Sequence, residues 1–98
     1  MKFLWHDLAR AEYDEAVDYY LLLAGPVIAR NFSTALNQTL CLVEEYPEIG
    51  AGTYSRARRF PVHGFPFHVV YRIRADAIVI VAVANQSRRP GYWGGRRE

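Results

Sequence analysis

Four arginines and two aromatics crowd the end of this chain: Arg88, Arg89, Tyr92, Trp93, Arg96 and Arg97 follow directly on an unbroken apolar run. A guanidinium is a planar fork of donors that grips phosphate or carboxylate through paired hydrogen bonds, and an aromatic face stacks on bases or packs against a partner. Arg58, Arg59, Arg72 and Arg74 extend the same chemistry upstream. The candidate residues for contact with an acidic or phosphate-bearing partner are therefore Arg58, Arg59, Arg72, Arg74, Arg88, Arg89, Tyr92, Trp93 and Arg96. Trp93 has a second expected role, folding back over the open side of a sheet with Pro90-Gly91 making the turn.

The charge pattern points the same way. Residues 1–50 carry three basic side chains against eight acidic ones, whereas residues 51–98 carry nine arginines against Asp76 and Glu98. The second half is thus the one that meets an anionic partner. All nine cations there are arginines, which suits bidentate contact better than it suits mere solubility.

Other chemistries find no support. There is no glycine-rich phosphate loop, no Cys or His cluster at metal-binding spacing and no paired carboxylates beside an apolar strand, so neither a metal nor a cofactor is expected. His6, His63 and His68 are scattered and read as ordinary surface or hydrogen-bonded histidines. The lone Cys41 lies in an apolar helical pattern and reads as a buried small hydrophobe in a reducing compartment. No run is long enough for a membrane span and no secretory pattern opens the chain, so a cytoplasmic protein is expected.

The elements that must position these residues follow from periodicity. With 98 residues, 51% of them apolar, the chain reads as one domain with a basic tail over residues 85–98. Residues 2–6 form a short strand, with Asp7 as the expected helix N-cap. Helix one runs over residues 8–24, with Ala9, Tyr13, Ala16, Val17, Tyr20 and Leu23 on its apolar stripe. Gly25-Pro26 ends it and opens helix two over residues 26–46, with Ile28, Phe32, Ala35, Thr39, Leu42, Val43 and Tyr46 inward. So short a connection makes the two helices antiparallel neighbours. Residues 47–53 read as loop and residues 58–62 as a strand with Pro61 near its end.

A hairpin over residues 67–84 organises the rest. Its first strand alternates, with His68, Val70, Arg72 and Arg74 on a wet face, and Asp76 marks the reversal. The second strand is apolar on both faces, so it belongs in the middle of the sheet, with Tyr71, Val79, Val81 and Val83 buried. The fold class is α+β: strand, helix, helix, strand, strand, strand, a helical hairpin packed on a mainly antiparallel sheet.

Several stretches together resemble the RelE/ParE superfamily of bacterial toxins from type II toxin-antitoxin pairs, and the ParE branch most closely. They are Tyr19-Tyr20, residues 47–50, Arg59-Phe60-Pro61-Val62, Phe65-Pro66-Phe67 leading into Val70-Tyr71-Arg72-Ile73, and Arg88 to Trp93 followed by Arg96. The resemblance implies a toxin neutralised by a cognate antitoxin in a hetero-oligomer. It also implies DNA gyrase as the target, poisoned without a chemical step of the toxin's own. The alternative within the superfamily is a ribosome-dependent mRNA endoribonuclease, for which Arg58, Arg72, Arg88 and Tyr92 are the residues to stabilise charge or donate a proton. No residue reads as a convincing base, and Asn85 stands where similar chains commonly have a histidine.

Overall fold

The computed structural model describes residues 1–97; Glu98, the last residue of the expected tail, lies outside them. The elements are β1 (Lys2–Trp5), α1 (Asp7–Ala24), α2 (Pro26–Glu45), β2 (Ala51–Gly52), β3 (Arg58–Pro61), β4 (Phe67–Ile73) and β5 (Ala77–Asn85), with a single 3-10 turn at Tyr54–Arg56. The sheet order is β1-β5-β4-β3-β2, antiparallel throughout except for the parallel pair β1/β5. This is the expected α+β arrangement. It has one more strand than expected, because the two-residue β2 falls in what reads as loop.

The first helix starts one residue earlier than its periodicity suggests, and His6 caps it in place of Asp7. The His6 Nδ1 accepts from the Leu8 amide at 3.1 Å. Asp7 occupies the first turn, where its charge still favours the helix dipole. Gly25, at φ +89°, makes the reversal into α2.

The inward line of α2 is Ala29, Phe32, Leu36, Thr39, Leu40 and Val43, which corrects the expected stripe: Ile28, Leu42 and Tyr46 are exposed, as is Leu23 at the end of α1. Cys41 is exposed as well, not buried. One residue along a helix is a rotation of about 100°, so with Leu40 facing the core the next two side chains turn to solvent. Phe32 anchors this core, its ring centroid 5.2 Å from each of Tyr20, Phe65 and Phe67. Such tilted and edge-on pairs add to the burial of their area.

Between β1 and β4, strand β5 is central, and Ala77 to Ala84 are all buried. Tyr71, Val79, Val81 and Val83 are buried as expected. The β4/β5 register slips between Val70 and Tyr71, so that Val81 and Ala82 both face away from the helices while Ile80 and Val83 face them. A bulge of this kind changes the phase of the alternation.

The wet face expected for β4 is not wet at its centre. Val70 is fully buried and Arg72 is only 7% exposed. Both are covered because Trp93 packs against Ala57, Val70, Val79, Val81, Ala82 and Ala84 in a second core on the side of the sheet opposite the helices. Trp93 thus plugs the open side of the sheet.

Candidate functional site

The tail leaves β5 through a series of tight turns. The Asn85 side chain accepts from the Ser87 amide at 2.9 Å, and main-chain bonds then link Arg88 to Asn85, Tyr92 to Arg89, Gly94 to Gly91 and Arg96 to Trp93. Gly91 has φ +76°, and a Cβ there would lie 2.9 Å from the Tyr54 ring, so both backbone and space demand glycine. Asn85 is therefore occupied as a turn residue, a use typical of asparagine.

A carboxylate holds this tail down. Glu12 on α1 accepts from Tyr92 Oη at 2.6 Å, from Arg96 Nη1 and Nη2 at 2.9 Å each, and from the Val83 amide at 3.0 Å. Arg96 Nη1 also donates to the Val81 carbonyl at 3.0 Å. Strand β1 runs out opposite Ile80, leaving the next part of β5 paired with β4 on one side and without a strand on the other. Glu12 and Arg96 take that strand's place, one accepting the Val83 N–H and the other donating to the Val81 C=O. A buried main-chain edge left unpaired is costly, and here a side-chain pair satisfies it.

The environment shifts the groups of this clasp. Burial first, and then the hydrogen bond to Glu12, raise the Tyr92 phenol well above its ordinary value of 10. The same carboxylate, through its hydrogen bonds, raises Arg96. The Arg88 guanidinium lies 3.8 Å from the centre of the Tyr92 ring.

Two more arginines are tethers. Arg72 donates from Nε to the Ser55 carbonyl at 3.0 Å and from Nη1 to the Arg96 carbonyl at 2.9 Å, tying the 3-10 turn and the tail to β4. That turn holds Ser55 and Arg56 at φ 55° and 58°, left-handed backbone that side chains disfavour. Arg58 Nη1 donates to the carbonyls of Glu48 and Gly50 at 3.1 and 2.9 Å. Beside it, Tyr71 Oη donates to Pro47 O at 2.7 Å and accepts from the Gly50 amide at 3.0 Å.

The candidate residues thus fall into groups. Arg58, Arg72 and Arg96 hold main chain in place, and Trp93 is buried in the second core. Arg59, Arg74, Arg88 and Arg89 are exposed, and Tyr92 is half-buried. The four residues considered for ribonuclease chemistry are not gathered together. Arg88 and Tyr92 line one hollow with Arg59, His68 and Arg89, Arg72 lines another with Arg56, Arg74, Arg96 and Arg97, and Arg58 lines neither.

Two side chains of the candidate site escape a reading of the sequence. Glu12 sits between Ala9 and Ala16 on the apolar stripe of α1, and a carboxylate in that place is a signal that it is paired. His68 is half-buried, and burial first, then Arg59, lower its pKa from 6.5. No local pattern marks it, because both causes are tertiary.

Comparison with known proteins places this geometry. No curated protein sequence matches the chain. Among solved structures, a chain described as "Chromosomal ParDE TA system from P. aeruginosa" superposes with a TM-score of 0.75 at 23% identity, over 87% of this chain and 95% of that one. That likeness is one of fold. The family model for the ParE toxin of type II toxin-antitoxin systems, parDE, matches residues 3–90, which takes in Glu12, Arg72 and Arg88 and stops short of Tyr92, Trp93 and Arg96. With nearly all of its length inside that match, the chain belongs to the ParE toxin family of type II toxin-antitoxin systems.

Proposed function

We propose that this toxin inhibits DNA gyrase, blocks replication in the cytoplasm and is neutralised by a cognate antitoxin that binds it in a hetero-oligomer. The family match carries this reading, since gyrase is the target the resemblance to the ParE branch implies. The site chemistry supports it: Arg58, Arg72 and Arg96 are engaged in holding main chain, a use of arginine that shapes a surface and performs no bond-breaking step. Gyrase inhibition needs only such a rigid contact surface.

One observation favours a second reading, ribosome-dependent mRNA cleavage. His68, its pKa lowered by burial and by Arg59, shares a hollow with Arg59, Arg88 and Arg89. That arrangement offers a base to activate a ribose 2′-hydroxyl and guanidinium groups to stabilise phosphorane charge. A supercoiling assay with purified gyrase, run beside an in vitro translation assay with primer extension on the message, separates the two. Loss of supercoiling with intact message is expected. Discrete cuts in the message with supercoiling untouched would reverse the ranking.

A further inference from the structure

The side of the sheet that faces the tail carries arginines at both of its ends. At one end Arg56, Arg72, Arg74, Arg96 and Arg97 line an open hollow of about 510 Å³. At the other, Arg59, Arg88 and Arg89 line a smaller one with His68, and it shares Arg59, His68 and Gln86 with an adjoining recess of about 320 Å³. Trp93 sits between the two, because the Val70 it covers lies between His68 and Arg72 on β4. From His68 to Arg74 the chain spans roughly 20 Å at about 3.3 Å per strand residue.

We propose that this face binds the sugar–phosphate backbone of a nucleic acid duplex, with the two arginine hollows holding phosphates on either side of the tail. The first hollow is walled by guanidinium groups with Ser55 and Gly94, and among the described residues no apolar side chain lines it. An acidic peptide would find little to bury there, and exposed ion pairs alone add only about 0–1 kcal/mol each. A polyanion gains instead from the counterions released as each phosphate is neutralised. The inner guanidinium groups are engaged within the protein, Arg72 by the Ser55 and Arg96 carbonyls and Arg96 by Glu12 and the Val81 carbonyl, so they shape the hollow while the exposed Arg56 and Arg97 meet phosphate. Base stacking is disfavoured, because Trp93 is buried and Tyr92 lies beneath Arg88 and bonded to Glu12. Single strands rely on such stacking, so a duplex is the better fit. This binding requires neither gyrase nor a ribosome and is independent of which one the toxin attacks.

Fluorescence anisotropy with the full chain tests it, using a labelled DNA duplex of about 20 base pairs and a single-stranded RNA of equal phosphate number across a salt series. About five phosphate contacts give a slope near −4.5 in log affinity against log salt, a loss of roughly 500-fold between 50 and 200 mM. Arg56→Gln/Arg97→Gln and, separately, Arg59→Gln/Arg89→Gln should each weaken duplex binding by about tenfold or more and flatten the slope by nearly one per arginine removed. These side chains are all exposed, and circular dichroism confirms the fold of each variant. Should either fail to fold, Arg97→Gln and Arg89→Gln alone carry the comparison. A slope shallower than about −2, variants that bind like the parent, tighter binding of the single strand, or displacement of the duplex by poly-glutamate at equal charge concentration would each overturn the proposal. A parent chain that inhibits gyrase but binds no duplex overturns this inference and leaves the gyrase reading standing.

Discussion

The Glu12 carboxylate and the Arg96 guanidinium, 84 positions apart in the chain, meet through two hydrogen bonds of 2.9 Å. Each side chain is 13% exposed, so the pair is largely screened from water. Removing one member of such a pair leaves the other charge stranded, which is worse than removing both.

Glu12→Ala should therefore cost about 3 kcal/mol, at the low end of the range for a broken buried pair because some solvent still reaches it. The loss should appear in urea unfolding. The tail should loosen before the core does, read as increased acrylamide quenching of Trp93 in a Trp5→Phe background. Unchanged quenching would mean that Trp93 holds the tail without help. The raised Tyr92 pKa adds a sign. The unfolded phenol loses its proton near pH 10 and the folded one does so only higher, so this stabilisation is full below pH 10 and declines above it. Tyr92→Phe should flatten that alkaline decline.

The histidine of the small hollow works in the opposite sense. The folded pKa of His68 lies below its ordinary 6.5, so on acidification the unfolded chain takes up the proton first. Its contribution is complete above pH 6.5 and is lost as pH falls through the folded value. His68→Gln should reduce the slope of stability against pH below 6.5 in a set of denaturation curves. An unaltered slope would show that another group is responsible.

Ile80 is fully buried on the face of central β5 that meets the helices. Ile80→Asp places an unpaired carboxylate there, at a cost of several kcal/mol, comparable with the whole stability of a small domain. Loss of the cooperative thermal transition is expected. A melting curve close to the parent's would contradict the central position of the strand.

Gly50 and Tyr71 offer a local test of packing. A Cβ on Gly50 would lie 2.6 Å from Tyr71 Oη and 3.0 Å from the Arg59 carbonyl, so Gly50→Ala must push the loop off the sheet. About 1–3 kcal/mol should be lost. Tyr71→Phe should cost a similar amount, because the Gly50 amide and the Pro47 carbonyl lose their partner. The double variant should cost less than the sum of the two, since both break the same contact. Strict additivity in denaturant melts would refute the shared cause.

The tip of the helical hairpin is apolar and open: Leu22, Leu23 and Val27 are 84%, 70% and 65% exposed. If the antitoxin covers it, Leu22→Ser/Leu23→Ser should speed dissociation of the complex by at least tenfold with little effect on the toxin's own melting. Surface plasmon resonance decides, and unchanged dissociation would place the antitoxin elsewhere.

Periodicity and turn chemistry make most of the framework legible before any coordinates. The two helices end where Gly25 and Pro47 say they must, β5 reads as central because it is apolar on both faces, and Trp93 reads as a plug after a Pro-Gly turn. What stays hidden is whatever depends on distant chain. The alternation of β4 cannot reveal that Arg72 lies under the tail, nor can the run 77–84 show that a bulge turns Val81 and Ala82 the same way. The inward line of α2 depends on which rotation brings Phe32 against Phe65 and Phe67. Glu12 is the clearest case: its partners Tyr92 and Arg96 lie at the other end of the sequence, and the trace it leaves nearby is a lone charge on an apolar stripe.

Lys2 to Trp5 pair with Ala77 to Ile80, so the first strand of this fold waits for the last. At about 5–20 residues per second, synthesis of the intervening chain takes on the order of 4–15 s. During that interval the helical hairpin exists without the strand it packs on, and Glu12 exists without Arg96. A nascent chain consequently lacks its finished basic face and displays its apolar one. Non-local closure of this sort also slows folding after release. If the antitoxin covers the apolar hairpin, that surface is complete before the arginine face is assembled.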